Sequence, residues 1–284
     1  MDNWDDLKFF LAVHKSGTMV AAARHLGANV ATVSRRIERL GQTLGAPAFI
    51  KTSGDWKPNP DLESLLFLIE EFEGKLSAER NQISLKSEGA NPVMIRVGAP
   101  PIVLGGILSA NVGEFLSKNK GYTIELHNRT SRSGLGDVDV MIMDTPPDRG
   151  SLITRRVGKM EFNTYKRAPF GIDDEWVGLV DKHDDFEPMR RARALFRRPP
   201  SLRAANFFDA FRISKSTGLP VLLPTFLAKR DSDFQPAFDD IEPINVDFWA
   251  AFHSSRKKDQ AAIDAMNWIV SSFEQSQTIL LNIE

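Results

Sequence analysis

The chain contains no cysteine. That absence excludes disulfides, thiolate metal sites and cysteine nucleophiles together. No apolar run approaches the roughly 18 residues that a membrane-spanning helix needs. The opening residues MDNWDDLKFF are acidic where a secretory signal is basic, so the expectation is a cytoplasmic protein without a membrane partner. Histidine is scarce, and His14, His25, His127, His183 and His253 show neither His-x-x-His nor His-Glu-x-x-His spacing. No Gly-rich Lys loop of the Walker type occurs, and Gly134-Leu135-Gly136 lacks the third glycine of a dinucleotide fingerprint. Asp181, Asp184 and Asp185 beside His183 are better read as a solvated loop than as a cation site, and the arginines at 190, 191, 193, 197 and 198 as a solvated helix face. These absences predict no catalytic residue, no metal, no cofactor and no enzyme activity.

What is present is enough for several cores. With 284 residues, 42% of them hydrophobic and 26% charged, the chain has the composition of a folded protein of two or three compact units. Its net charge of −1 hides an asymmetry. Residues 1–60 carry eight Lys/Arg against five Asp/Glu, whereas residues 61–88 carry three against seven. A phosphate backbone senses the local balance, so the N-terminal block remains a candidate for contact with nucleic acid.

In that block, Trp4, Leu7, Phe10, Leu11 and Val13 recur at helical spacing, and Ser16-Gly17 ends the helix. Thr18 caps a short second helix in which Ala21-Ala22-Ala23 would let a neighbour approach closely, and Gly27 supplies the turn after it. Asn29 caps a third helix running to Leu44, with Val30, Val33, Ile37, Leu40 and Leu44 predicted as its buried stripe. Its other face carries Ala31, Thr32, Arg35, Arg36 and Arg39, with Ser34 between the faces. Small and hydroxyl side chains in a first turn can reach base edges, and arginines can reach phosphate or guanine. Residues 49–57 read as strand, turn, strand, with Ser53 at the tip and Lys51 and Lys57 flanking it for contact with the DNA backbone. On periodicity alone, a charged face on an ordinary helical bundle is an equal reading.

The residues Asp5-Leu7-Phe9-Leu11-Val13, Ser16-Gly17-Thr18, Ala21 to Leu26, Thr32 to Leu40, Leu44-Gly45 and Phe49 to Thr52 carry a resemblance. Together they resemble the winged helix-turn-helix domain of LysR-type transcriptional regulators, over about sixty residues without a gap. The resemblance implies DNA contact by Thr18, Asn29, Ala31, Thr32, Ser34, Arg35, Arg36, Arg39, Lys51, Ser53 and Lys57. There are departures from the pattern. Asn29-Val30-Ala31 stands where the family usually has Ser-Gln-Pro or Ser-Gln-Ser, Val20 where Thr is common, and Ala48-Phe49 where Leu-Phe is familiar. Val30 cannot replace the hydrogen bonds of a glutamine, so altered base preferences are expected.

Pro58-Asn59-Pro60 then breaks the chain, and Leu62, Leu65, Leu66, Ile69, Phe72, Leu76 and Ile83 follow coiled-coil-like spacing, with Glu79 as a flaw. An intramolecular helical hairpin would also bury such a stripe, but the resemblance implies a dimerisation helix. From residue 93 onward, strand-like MIRVGAP, YTIELHN and VDVMIMD alternate with helical stretches, which points to a parallel α/β sheet with ligands at the carboxyl ends of its strands. IRVGAP, VDVMI and GLPVLLP resemble segments of the family's effector domain, a periplasmic-binding-protein-like pair of α/β subdomains.

The expected organisation is a DNA-binding domain over 1–60 (helix-turn-helix about 18–37), a linker helix over 61–88 and an effector domain over 93–284. Its first subdomain would be 93–165 plus 242–284, and its second 166–241. By the same resemblance Pro100, Pro101, Ile102, Asn128, Arg129, Thr130, Thr145, Arg203 and Ala204 would face the effector. Two prolines where a hydroxyl and amide donors often hold a carboxylate count against that mode of capture.

The function this implies is sequence-specific operator binding by a homodimer or tetramer, gated by a small-molecule effector, with RNA polymerase as a further partner. Two alternatives stay open on the residues alone. One is a metabolite-binding or catalytic α/β protein whose N-terminal bundle serves association only. The other is a ligand-independent regulator whose cleft is filled by side chains.

Overall fold

The computed structural model describes residues 4–51, 56–87, 91–129, 135, 138–147, 151–167 and 175–281. Ser53 and Thr130 lie outside these residues. At the N-terminus, helices α1 (Trp4–Ser16), α2 (Met19–Leu26) and α3 (Val30–Leu44) precede a wing in which β1 (Phe49–Lys51) pairs antiparallel with β2 (Trp56–Pro58). Local chemistry sets the helix boundaries. The Thr18 hydroxyl accepts from the Ala21 N–H at 3.1 Å, and the Asn29 side chain accepts from the Thr32 N–H at 2.7 Å, each satisfying an otherwise unpaired first-turn donor. Gly27 has φ 62°, a left-handed conformation that lets α2 end and turn at once into α3.

Leu7, Phe10, Leu11 and Val13 of α1 pack with Ala22 and Ala23 of α2 and Val33, Ile37 and Leu40 of α3. Two residues expected in this core lie outside it: Trp4 is 67% exposed and Val30 is 41% exposed. Each is the first residue of its helix, beyond the reach of the packed turns.

Asn59 caps a short 3-10 turn (Pro60–Leu62) that leads into the 24-residue α4 (Glu63–Lys86). This helix serves three neighbours with three faces. Leu62, Leu66 and Ile69 are buried in the N-terminal core, with Leu65 partly buried against it. Assigning Leu62, Leu65, Leu66 and Ile69 to a dimer interface is therefore corrected, because the chain's own first helices cover them. A second face docks on the C-terminal unit. Gly74 approaches Ser255 so closely that a Cβ would overlap the hydroxyl, and the Asn81 amide donates to Asp259 at 3.1 Å. The third face leaves Leu68, Phe72, Leu76 and Ile83 about half exposed or more. The Trp4 and Phe72 ring centroids lie 5.5 Å apart beside it.

The C-terminal unit is one continuous sheet of two halves. In the first, β3 (Val93–Ala99) lies parallel between β4 (Tyr122–Asn128) and β5 (Val140–Met143). In the second, β7 (Val177–Leu179) lies parallel between β8 (Leu202–Ala204) and β9 (Val221–Pro224). Joining them, β6 (Leu152–Arg167) and β11 (Ile244–His253) form a long antiparallel ribbon, with β10 (Phe234–Pro236) paired to β6. The ribbon's register shifts between Phe248 and Trp249. The all-parallel expectation is thus corrected to a mixed sheet, parallel within each half and antiparallel at the crossing.

One helical run follows β3: α5 (Pro101–Val103), a π-helical turn (Leu104–Leu108) and α6 (Ser109–Lys118). The second half carries α7 (Glu187–Phe196), α8 (Phe207–Thr217) and α9 (Thr225–Ala228), and α10 (Gln260–Leu281) closes the first. Ala262, Met266, Ile269 and Phe273 of α10 are buried, and so is every residue of β5.

A charged corner fixes the entry to α10. Arg256 is 7% exposed and its Nε donates to Asp259 at 2.8 Å, while its Nη1 pairs with Asp139. Asp259 is 1% exposed and also accepts from the Ala261 N–H at 3.1 Å.

Candidate functional site

The outward face of α3 is the first candidate surface. Asn29, Ala31 and Arg35 are exposed, and Thr32 and Ser34 half-buried, so the capped N-terminal turn is open to solvent. Arg35 makes no hydrogen bond or ion pair with a described residue. The Ser34 hydroxyl donates to Glu38 at 2.9 Å.

The other two arginines are engaged internally. Arg39 donates through Nε to Asp6 at 2.7 Å, and Arg36 donates through Nη1 to the same carboxylate at 3.1 Å. Arg36 also lies 5.4 Å from the centroid of the Phe9 ring. Asp6 is 4% exposed, so the two guanidiniums neutralise a buried charge and tie α3 to α1. Both guanidiniums are thus tied to α1, with the Arg39 side chain still half exposed, and Arg35 is the cation of α3 without a partner among the described residues. On the wing, Lys57 is exposed and stands opposite Ile50 in register. Trp56 beside it is 37% exposed.

The Asp6 pair predicts a pH dependence. Hydrogen bonds from Arg39 and then Arg36 hold the Asp6 carboxyl below the usual carboxylate range, against the opposing effect of burial. A carboxyl with a lowered folded-state pKa stabilises the fold fully above its unfolded value, near 4, and loses that contribution as pH falls through the folded value. Thermal melts of the full chain should therefore show a loss of N-terminal stability below about pH 4. Asp6→Asn should flatten that loss and cost about 1–3 kcal/mol at pH 7. An unchanged acid limb would show that the pair contributes nothing.

The second candidate is the cleft between the two halves of the sheet. Pro100, Pro101, Ile102, Asn128, Arg129 and Thr145, at the carboxyl ends of β3, β4 and β5, line it. Arg203 and Ala204 are corrected. Arg203 donates to the Leu179 carbonyl and to Asp184, both at 2.8 Å, and Ala204 is 2% exposed. The next residues, Ala205 and Asn206, line the cleft instead. Hydrogen bonds from Arg203 and then Arg193 hold the Asp184 carboxyl below the ordinary carboxylate range, so this acid serves the arginines.

Sequence reasoning missed the aromatic floor. Phe162, Phe186 and Phe207 line the cleft, with ring centroids 5.3 Å apart for Phe162–Phe186 and 5.4 Å for Phe162–Phe207. Asn206, whose side chain accepts from the Asp209 N–H at 3.0 Å, marks a helix start directly after a strand, and that cap was the available signal. At the other wall Val103 and Leu104 both donate to the Pro100 carbonyl, at 2.9 and 3.1 Å, and Pro101 has no N–H. The cleft continues into a crevice beside α4 and the N-terminal helices, for about 1850 Å³ in all. That exceeds the ~300–1,000 Å³ of a small-molecule site, so the residues at the strand ends line only part of the cavity.

The family model for bacterial regulatory helix-turn-helix proteins of the LysR family matches residues 4–61. Along 96% of its length this chain is 25% identical to 98% of the Mau operon transcriptional activator of Paracoccus denitrificans. It is 29% identical to an uncharacterised HTH-type transcriptional regulator, YdcI, of Escherichia coli strain K12, over 48% of this chain and 46% of that one. Among solved structures, ArgP of Mycobacterium tuberculosis superposes with a TM-score of 0.65 at 14% identity, covering 96% of this chain and 98% of that one. LysG of Corynebacterium glutamicum, solved with bound effector Arg, superposes with a TM-score of 0.64 at 15% identity over the same shares. The helix-turn-helix with its wing, the linker helix and the two-halved α/β unit share their fold with these solved structures along nearly the whole chain, and residues 4–61 match the helix-turn-helix of the LysR-type regulators.

Proposed function

We propose that this regulator grips operator DNA as a homo-oligomer through the open turn and outer face of α3 and through the wing, and that a small molecule in the cleft biases the grip. The supporting observation is Arg35: exposed, unpaired among the described residues and one turn from the helix start, while Arg36 and Arg39 are both paired with Asp6 of α1. In this reading Thr18, Asn29, Ala31, Thr32 and Ser34 serve as base or phosphate contacts, and Lys51 and Lys57 as backbone contacts. The dimer forms through the exposed stripe of α4, centred on Phe72 and Leu76. The protein acts in the cytoplasm by binding, with no catalytic step, and its output passes to RNA polymerase. LysG was solved with a bound effector, and we place the effector of this chain at Pro100, Pro101, Ile102, Asn128, Arg129 and Thr145.

Gel-shift titration of the full chain tests the DNA reading. Arg35→Ala or Thr32→Ala should weaken binding to a preferred duplex by about 1–3 kcal/mol with the oligomer intact. Arg39→Ala, by contrast, should lower the melting temperature by loosening α3 from α1. Affinity should also fall steeply with salt as phosphate contacts release counterions. Unchanged affinity in folded, oligomeric Arg35→Ala would show that the recognition face is misassigned.

A further inference from the structure

Val30 is out of place by the ordinary logic of a core. It is apolar, first in α3 and 41% exposed, and it does not pack with the cluster that takes Val33, Ile37 and Leu40. Its position is fixed from below, since Asn29 caps the helix through the Thr32 N–H, so its side chain leaves from the open end of the helix. Its neighbours on that end are the exposed Asn29 and Ala31, and the unpaired Arg35 follows one turn later. Val20, second in α2, is also exposed, at 59%. An isolated surface valine needs no explanation. A valine at the leading turn of the helix proposed to enter the major groove meets base edges, and it can neither donate nor accept a hydrogen bond. The one apolar group in that groove is the C5 methyl of thymine.

We propose that Val30 reads thymine, by packing its isopropyl group against a thymine methyl in each half-site, in place of a hydrogen-bonded base contact. This rests on the DNA-binding reading above. The valine gives selectivity through burial of two apolar surfaces, so loss of one methyl group from the DNA should carry most of the effect.

The test uses the full-length protein and a duplex enriched by it from a random-sequence library. Each thymine of that duplex is replaced singly by deoxyuridine, which pairs identically and lacks the methyl. For the unmodified protein, at least one replacement per half-site should weaken binding about fourfold, the equivalent of about 0.8 kcal/mol for one buried methyl-sized group. Val30→Ala, a surface change that leaves the core untouched, should bind the parent duplex more weakly and become indifferent to that replacement. Val30→Gln should shift the enriched base at that position from thymine toward adenine, whose N6 and N7 suit a glutamine amide. If every thymine tolerates loss of its methyl, or if Val30→Ala is as sensitive as the parent, the thymine reading is overturned while DNA binding stands. If the full chain enriches no duplex at all, the DNA-binding reading itself fails.

Discussion

Arg256→Met is expected to destabilise the C-terminal unit by about 3–5 kcal/mol, measured by urea or thermal unfolding of the full chain. Arg256 faces two carboxylates, Asp139 and Asp259, and is itself 7% exposed. Methionine fills most of the space but leaves Asp259, 1% exposed, with no counter-charge. Removing one member of a buried ion pair costs far more than the pair is worth, since the remaining charge has lost its water as well as its partner. The damage should spread beyond this corner, because Asp259 also receives the Asn81 amide from α4 and the first-turn N–H of Ala261 in α10. A loss below about 1 kcal/mol would show that water rehydrates the corner freely. Arg256→Lys should recover part of the stability as a cation, although one ammonium cannot reproduce the forked contact to both acids.

Phe72→Asp combined with Leu76→Asp should turn the proposed homo-oligomer into a monomer at micromolar concentration, as read by sedimentation. Both side chains are about half exposed, and they share a face with Leu68 and Ile83. Burying an apolar side chain of this size contributes about 1.5–3 kcal/mol. A symmetric pairing buries each side chain twice, so the double change should raise the dissociation constant at least about 100-fold. Binding to a two-half-site duplex should collapse with it, while the melting of the N-terminal core stays close to that of the parent. Leu66→Ala gives the contrast. That residue is buried inside its own domain, so it should lower stability by about 2–5 kcal/mol and leave the intrinsic association face untouched. An unchanged oligomer in the double variant would place the interface elsewhere.

Local signals carried the sequence reading well where the cause was local. Thr18, Asn29 and Gly27 act within four residues of themselves, and each sits at the helix boundary its chemistry suggests. Contacts between distant residues were hidden. Arg36 and Arg39 lie 30 and 33 positions from Asp6, and an arginine on a helix face reads the same whether it meets phosphate or a buried acid. The clue was Asp6 itself, set among the core residues Leu7 and Phe10. On α4, one periodic pattern mixed two surfaces. Leu62, Leu66 and Ile69 serve the N-terminal core and Leu68, Phe72, Leu76 and Ile83 face outward, and periodicity cannot say which neighbour covers which stripe. The longest strand, β6, is illegible in LITRRVGKMEFNTYKR, because charges interrupt its apolar residues and the buried positions, Val157, Met160 and Phe162 to Tyr165, follow no strict alternation. In the cleft, strand ends pointed to Pro100 to Ile102 and Asn128, but the aromatic floor comes from residues 162, 186 and 207, which only the tertiary fold unites.

The ribbon of β6 and β11 has a mechanical meaning. Both halves of the sheet hang on the same two strands, which pair along their shared length from Ile244↔Phe162 to His253↔Leu152. Two hydrogen-bonded strands resist being pulled apart or slid, but twist readily, most of all where a bulge has already broken the register. The irregularity at Phe248 and Trp249 is therefore where such a beam yields, and Phe248 itself lines the cleft. A molecule seated against it would press on the pivot directly, so the two halves should respond by rotation about a single axis rather than by separation.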